Sequence, residues 1–237
     1  MINLKNRNFK EIAGEISSWI IEKKDTAISI SIIAAVITGL LIYFFIHYAQ
    51  VRKQTWDKLA IAEGYVFNNL NDQALQVLND ILAKSGNTDI KSNQYAKLLK
   101  SDTLYKMKDY KQSADLYSQI IRTNKPKIIL PFAYAGLGYS KENLGDYSGS
   151  ISAYRDFLEK FPDHYYTARI YESLARVYFL SGAIPEAKQT YEKIITLYPG
   201  TSWQQNASRR IMSLPQQNVQ QPAGAQNNIP PTGNTGK

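Results

Sequence analysis

The sequence predicts an all-α fold: an N-terminal transmembrane helix, then an α-solenoid of about four helix-turn-helix units with a capping helix, and a disordered C-terminal tail. Three observations predict it. One phrase is written twice between Ala133 and Pro199. Leu137-Gly138, Gly145-Asp146-Tyr147, Ser150, Tyr154, Phe157 and Pro162 return as Leu174-Ala175, Gly182-Ala183-Ile184, Ala187, Tyr191, Ile194 and Pro199, each 37 residues on. No Asp, Glu, Lys or Arg stands between Asp25 and Arg52. From Pro215 to Lys237 the chain is mostly Gln, Asn, Pro and Gly. The expected parts are a cytoplasmic amphipathic tail (1–26), a span (27–48), the solenoid (49–214) and the disordered end (215–237).

Composition narrows the function classes. At 237 residues the chain is long enough for a buried core. It has no cysteine, which excludes disulfides, cysteine metal sites and cysteine nucleophiles. Its two histidines, His47 and His164, do not support a His-based metal site or catalytic pair. No catalytic residue, metal or cofactor is expected, and the protein is read as a non-enzyme. Seventeen tyrosines are many, and packing between helices is the default use for them.

The elements follow in order. Phe9, Ile12, Ala13, Ile16, Trp19 and Ile20 recur at spacings of three and four, one apolar stripe on a helix. Beside a membrane such a helix rests in the interface, with Trp19 at headgroup depth. Ala27 to Ile46 gives about 20 apolar residues, enough to cross roughly 30 Å of hydrocarbon. The apolar run is too long for a cleavable signal and no A-x-A-like site follows it, so an uncleaved anchor is expected. Lys5, Arg7, Lys10, Lys23 and Lys24 precede the span, while Arg52, Lys53 and Lys58 follow it. That bias favours a cytoplasmic N-terminus and an extracytoplasmic solenoid.

Two looser copies of the phrase lie upstream. Ile61-Ala62, Tyr65, Ala74, Leu78 and Ile81 form one; Leu104, Lys108-Asp109-Tyr110, Ser113, Tyr117 and Ile120 form the other. Their spacings are 39 and then 37 residues, so helices or loops must lengthen there. After Pro199, Thr201 can cap a last helix with Trp203, Ala207 and Ile211 on one face, covering the final repeat. The tail from Pro215 has too few apolar groups to offset its ordering entropy.

Gly136-Leu137-Gly138-Tyr139-Ser140-Lys141 has neither Walker spacing nor a preceding strand, so it is not read as a phosphate loop. Charge is the better lead. Between Lys84 and Lys127 there are ten Lys/Arg against four Asp, whereas residues 128–214 hold nine against eight acids. Lys97, Lys100 and Lys106 are therefore a candidate basic patch for an acidic protein or anionic headgroups, set against a plain solvated face. Nucleic acid is not expected, since no matching fold or stacking platform is present.

The order of small residue, Gly-Asp turn, aromatic and closing Pro resembles the tetratricopeptide repeat (TPR), whose period is near 34 residues. The resemblance covers about residues 56–214. It implies a protein-binding scaffold whose contacts come chiefly from the inner face of each unit's first helix. Those places fall at Tyr95, Asp102 and Tyr105, then Phe132, Tyr139 and Asn143, then Arg169, Glu172 and Arg176. TPR domains that clamp a C-terminal carboxylate place Lys and Asn where Ala135, Tyr139, Glu172 and Arg176 stand here, so that clamp is not implied. The layout is similar to anchored TPR proteins of the Gram-negative envelope. YfgM-type ancillary subunits of the Sec translocon share its plan, and the late repeats are similar to those of YbgF-type and BamD-type proteins. The resemblance implies partners in envelope translocation, folding or assembly. A homo-oligomeric organiser at the membrane, or a coordinator of cell division and the outer membrane, stays open beside it.

Overall fold

The computed structural model describes residues 9–84 and 90–215. All but Pro215 of the disordered tail expected over 215–237, the first eight residues with Lys5 and Arg7, and the side chains of Phe9, Ile12, Ile16 and Ile20 lie outside the described residues. Among those described, the regular structure is helical: α1 (Phe9–Glu22), α2 (Lys24–Phe67), α3 (Asn71–Lys84), α4 (Ile90–Lys106), α5 (Tyr110–Thr123), α6 (Leu130–Asn143), α7 (Tyr147–Lys160), α8 (Thr167–Leu180), α9 (Ile184–Leu197) and α10 (Ser202–Ser213). A 3-10 turn, Lys127–Ile129, leads into α6. This is the plan of a TPR-like α-solenoid, with four helix pairs and a closing helix.

The chain divides into two compact units, Met1–Gly136 and Leu137–Lys237. In the first, α2 is one unbroken helix of 44 residues, about 66 Å long at 1.5 Å per residue. It begins as the apolar run and ends as the first helix of the first pair. Its apolar window has mean hydropathy 2.4 and none of it is buried. By length and composition α2 can cross a membrane. Further along, Leu59 and Ala62 of α2, Leu78 and Ile81 of α3 and Ala96 of α4 close into one core. The extra residues of the early repeats appear in α4, 17 residues long against 14 in α5 through α9.

The turn inside each pair is built alike. A left-handed residue ends the first helix: Asn69 (φ 59°), Lys108 (φ 66°), Gly145 (φ 75°) and Gly182 (φ 82°). The next residue's N–H then reaches back to a carbonyl of the helix it leaves, as from Asp109 to Leu104 (2.9 Å), Asp146 to Lys141 (2.9 Å) and Ala183 to Tyr178 (2.8 Å). These bonds satisfy carbonyls that the helix end would orphan. Asp109 and Asp146 cap the second helices by accepting from Gln112 N (3.1 Å) and Gly149 N (2.9 Å). That bond, and after it the Lys141 ammonium, holds the Asp146 carboxyl below the usual range. α9 starts with Pro instead of a capping side chain.

In the second unit Gly138 lets the fully buried Tyr154 ring lie against α6, where any Cβ would run into it. Ser150 Oγ donates to Gly138 O at 2.9 Å, and Ser113 Oγ makes the same bond to Ser101 O, also 2.9 Å, in the first unit. Gly136-Leu137-Gly138-Tyr139-Ser140-Lys141 is therefore helix, its glycines serving close packing. The last core joins Ala175, Tyr191, Ile194 and Ala207, with Trp203 and Ile211 of α10 against it. Thr201 caps α10, its hydroxyl accepting from Gln204 N at 3.4 Å.

Candidate partner-binding site

In the second unit, Tyr139, Glu142 and Asn143 stand on α6 and Arg169, Glu172 and Arg176 on α8. The 37-residue register carries Arg169, Glu172 and Arg176 onto Asn206, Arg209 and Ser213 of α10. α10 thus stands where a fifth first helix would.

Arg176 is ion-paired within this face. Its Nε donates to Glu142 Oε1 at 2.6 Å and one terminal nitrogen to Oε2 at 3.0 Å, a two-pronged pair. Tyr154 Oη donates to the same Oε2 at 2.9 Å. The glutamate is only 12% exposed and the arginine 43%. These bonds brace α6, α7 and α8 against one another. Glu142 pins the guanidinium charge and raises the Arg176 pKa. Burial, with the Glu142 charge behind it, pushes the Tyr154 phenol well above its ordinary value.

Around this brace the face is more accessible. Arg169 is exposed on α8, while Asn143, exposed on α6, turns its amide back to Tyr139 O at 2.8 Å. Burial pushes the Tyr139 phenol up, against the pull of the Arg169 and Arg176 charges. Glu172, Asn206, Arg209, Arg210 and Ser213 line an open hollow of about 360 Å³ between α8 and α10. The arginines exceed the acids there. Such a surface favours carboxylates, which Arg grips with a planar fork of donors. Arg209 and Arg210 were not among the sequence candidates, although carrying Arg169 and Glu172 forward by one register would have reached α10.

A second surface escaped the sequence. A groove of about 840 Å³ runs between α7 and α9, lined by Tyr171, Leu174 and Tyr178 of α8 with Arg155, Glu159 and Lys193. The Lys193 ammonium sits 5.4 Å from the centroid of the Tyr171 ring. Its charges come from second helices, where the resemblance points to no contacts.

In the first unit the candidates separate. The Tyr95 ring packs on Trp56, 5.5 Å between centroids, as part of the core. Asp102 accepts from Tyr117 Oη. Tyr105 meets Tyr110 edge-on at 5.3 Å, and Phe132 is half-buried on α6. Lys100 Nζ donates to Asn79 Oδ1 at 2.7 Å. Lys97 and Lys106 are nine positions apart on α4, about 180° around the helix at 100° per residue. The three lysines do not share one face of α4. Among the described residues no three His, Cys, Asp or Glu side chains cluster as a metal site would need.

The class follows from these parts: a TPR-like scaffold fold, of the kind used to hold proteins. Residues 136–201 match the tetratricopeptide repeat family. No curated protein sequence matches the chain. Among solved structures it is similar to a putative kinesin light chain of Podosopora anserina with nearly identical TPR-like repeats. That likeness has TM-score 0.57 at 12% identity and covers 67% of this chain and 83% of the other. MamA gives TM-score 0.52 at 19% identity, covering 68% and 87%. MamA from Desulfovibrio magneticus RS-1 gives 0.53 at 14%, covering 62% and 77%. At these identities the likeness establishes the fold.

Proposed function

We propose that the protein is a membrane-anchored TPR scaffold that holds a protein partner in bacterial envelope translocation, folding or assembly. The observation that carries this reading is the accessible, arginine-rich face of α8 and α10, with Arg169, Arg209 and Arg210 around Glu172. The acceptor is an acidic segment of the partner, with Tyr139 and the braced Arg176 forming the firm floor beside it. The anchor is α2, whose apolar window has the length to span. Holding the repeats at the bilayer raises their effective concentration near membrane-bound machinery.

In this reading residues 1–26 are cytoplasmic and the repeats periplasmic. Protease added to intact spheroplasts then digests the repeats; full protection overturns that orientation. Crosslinking in native membranes followed by partner identification tests the function. Adducts to translocon or assembly subunits support it. A ladder of self-adducts alone replaces it with a homo-oligomeric organiser.

A further inference from the structure

The first helix pair places a set of cations at one height. α2 leaves the apolar run without a break, so Arg52 stands six residues beyond Ile46, about 9 Å along the axis. α3 runs back antiparallel to α2. Lys58 Nζ meets Asp80 Oδ2 at 2.5 Å, and Lys84 Nζ meets Asp80 Oδ1 at 2.6 Å. Val51, Gln54, Thr55 and Lys84 line one small hollow, which puts the end of α3 level with the first turns of α2 beyond the apolar run. α4 then turns again. The Trp56 and Tyr95 rings pack with centroids 5.5 Å apart, and Lys91 precedes Tyr95 by as many residues as Arg52 precedes Trp56. Arg52, Lys53, Lys84 and Lys91 are all exposed.

We infer that this rim docks on the phosphates of anionic phospholipids and, through unbroken α2, sets how the first repeats stand on the bilayer. The inference rests on α2 being the membrane anchor. The headgroup layer extends about 5–8 Å beyond the hydrocarbon on each side, and Lys and Arg stems can reach back over several ångströms to it. Counting Lys58, five cations face two carboxylates among the described residues, Asp57 and Asp80. That is charge complementarity for an anionic surface. Lys84 and Lys91 are 32 and 39 residues from Arg52 in sequence, so only the fold assembles the rim. It serves in either leaflet.

The chain has no cysteine, so Ala83→Cys, exposed beside Lys84, takes a single fluorophore. The full chain is placed in nanodiscs of phosphatidylcholine alone or mixed with phosphatidylglycerol, each with a trace of headgroup-nitroxide lipid. The expected result is stronger quenching with phosphatidylglycerol at low salt. Raising the salt, or introducing R52E/K53E/K84E/K91E, returns it to the phosphatidylcholine level. Equal quenching in both lipids at low salt overturns the rim. Failure of the unmodified chain to enter either disc overturns the anchor instead. Should the fourfold variant fold poorly, R52Q/K53Q and the salt series on the unmodified residues decide alone.

Discussion

The second and third helix pairs carry the same tyrosine, 37 residues apart, and give it different company. Tyr117 donates to Asp102 of its own pair. Tyr154 donates to Glu142 of its own pair, but that glutamate also holds Arg176 on α8. In one pair the buried hydroxyl ends its chain of bonds locally; in the other it joins a network running into the next pair. The apolar register repeats because packing needs it, whereas the polar partners are set pair by pair. Each part of this contrast can be broken by substitution in the full-length chain, with stability read from unfolding in detergent micelles.

The largest effect belongs to the tyrosine. Tyr154→Ala removes a fully buried ring and is expected to cost about 3–5 kcal/mol, the range for truncating a buried aromatic. A loss below about 1 kcal/mol would mean the site collapses around the gap. Next comes Gly138→Ala, whose new Cβ meets the Tyr154 ring. It is expected to cost about 1–3 kcal/mol by overpacking, and Gly136→Ala against Tyr117 should behave alike. Arg176→Ala leaves a mostly buried Glu142 with Tyr154 alone. Because the arginine is partly exposed, about 1–2 kcal/mol is expected, less than for a fully buried charged bond. A double-mutant cycle with Glu142→Gln should return most of that as coupling.

How much of this could be read beforehand depends on what kind of signal the residues carry. The pairs α6–α7 and α8–α9 were legible because glycine, aromatic and proline recur at fixed offsets, each with a steric reason. Gly138 opposite Tyr154 is the clearest case. Thr201 at the start of α10 was legible for the same reason, since capping is local. The Glu142–Arg176 brace was not, because the two are 34 residues apart and only the approach of α6 to α8 makes them neighbours. Tyr95 reads as an inner-face residue by spacing, yet its ring packs at a tilt on Trp56 from a helix two elements away. The passage from apolar run to repeat inside α2 carries no Gly, Pro, Asn or Ser between Leu41 and Glu63. Where both sides are helical, a change of environment leaves no punctuation.

The smaller predictions probe the turns. Lys108 takes a left-handed conformation (φ 66°) at the place glycine fills as Gly145 and Gly182. A non-glycine residue there costs about 1–2 kcal/mol, so Lys108→Gly is expected to stabilise by about 1 kcal/mol. No gain would show that the lysine side chain compensates locally. The smallest effect is on pH. His164 Nδ1 accepts from Tyr166 N at 3.2 Å, and burial lowers the imidazole's pKa below 6.5. The folded state therefore favours the neutral ring. This contribution is complete above the unfolded value near 6.5 and is lost as pH falls from there through the folded value. His164→Gln should flatten that part of the stability–pH curve.

The central claim is that the α8/α10 face holds another protein. A photocrosslinking residue at Arg169 tests it in native membranes, with the same residue at Lys188 on α9 as control. The account predicts a discrete adduct to a different protein from Arg169, absent from Lys188, and lost when Arg209 and Arg210 are changed to Glu. Adducts from both positions alike, or self-adducts only, would contradict it.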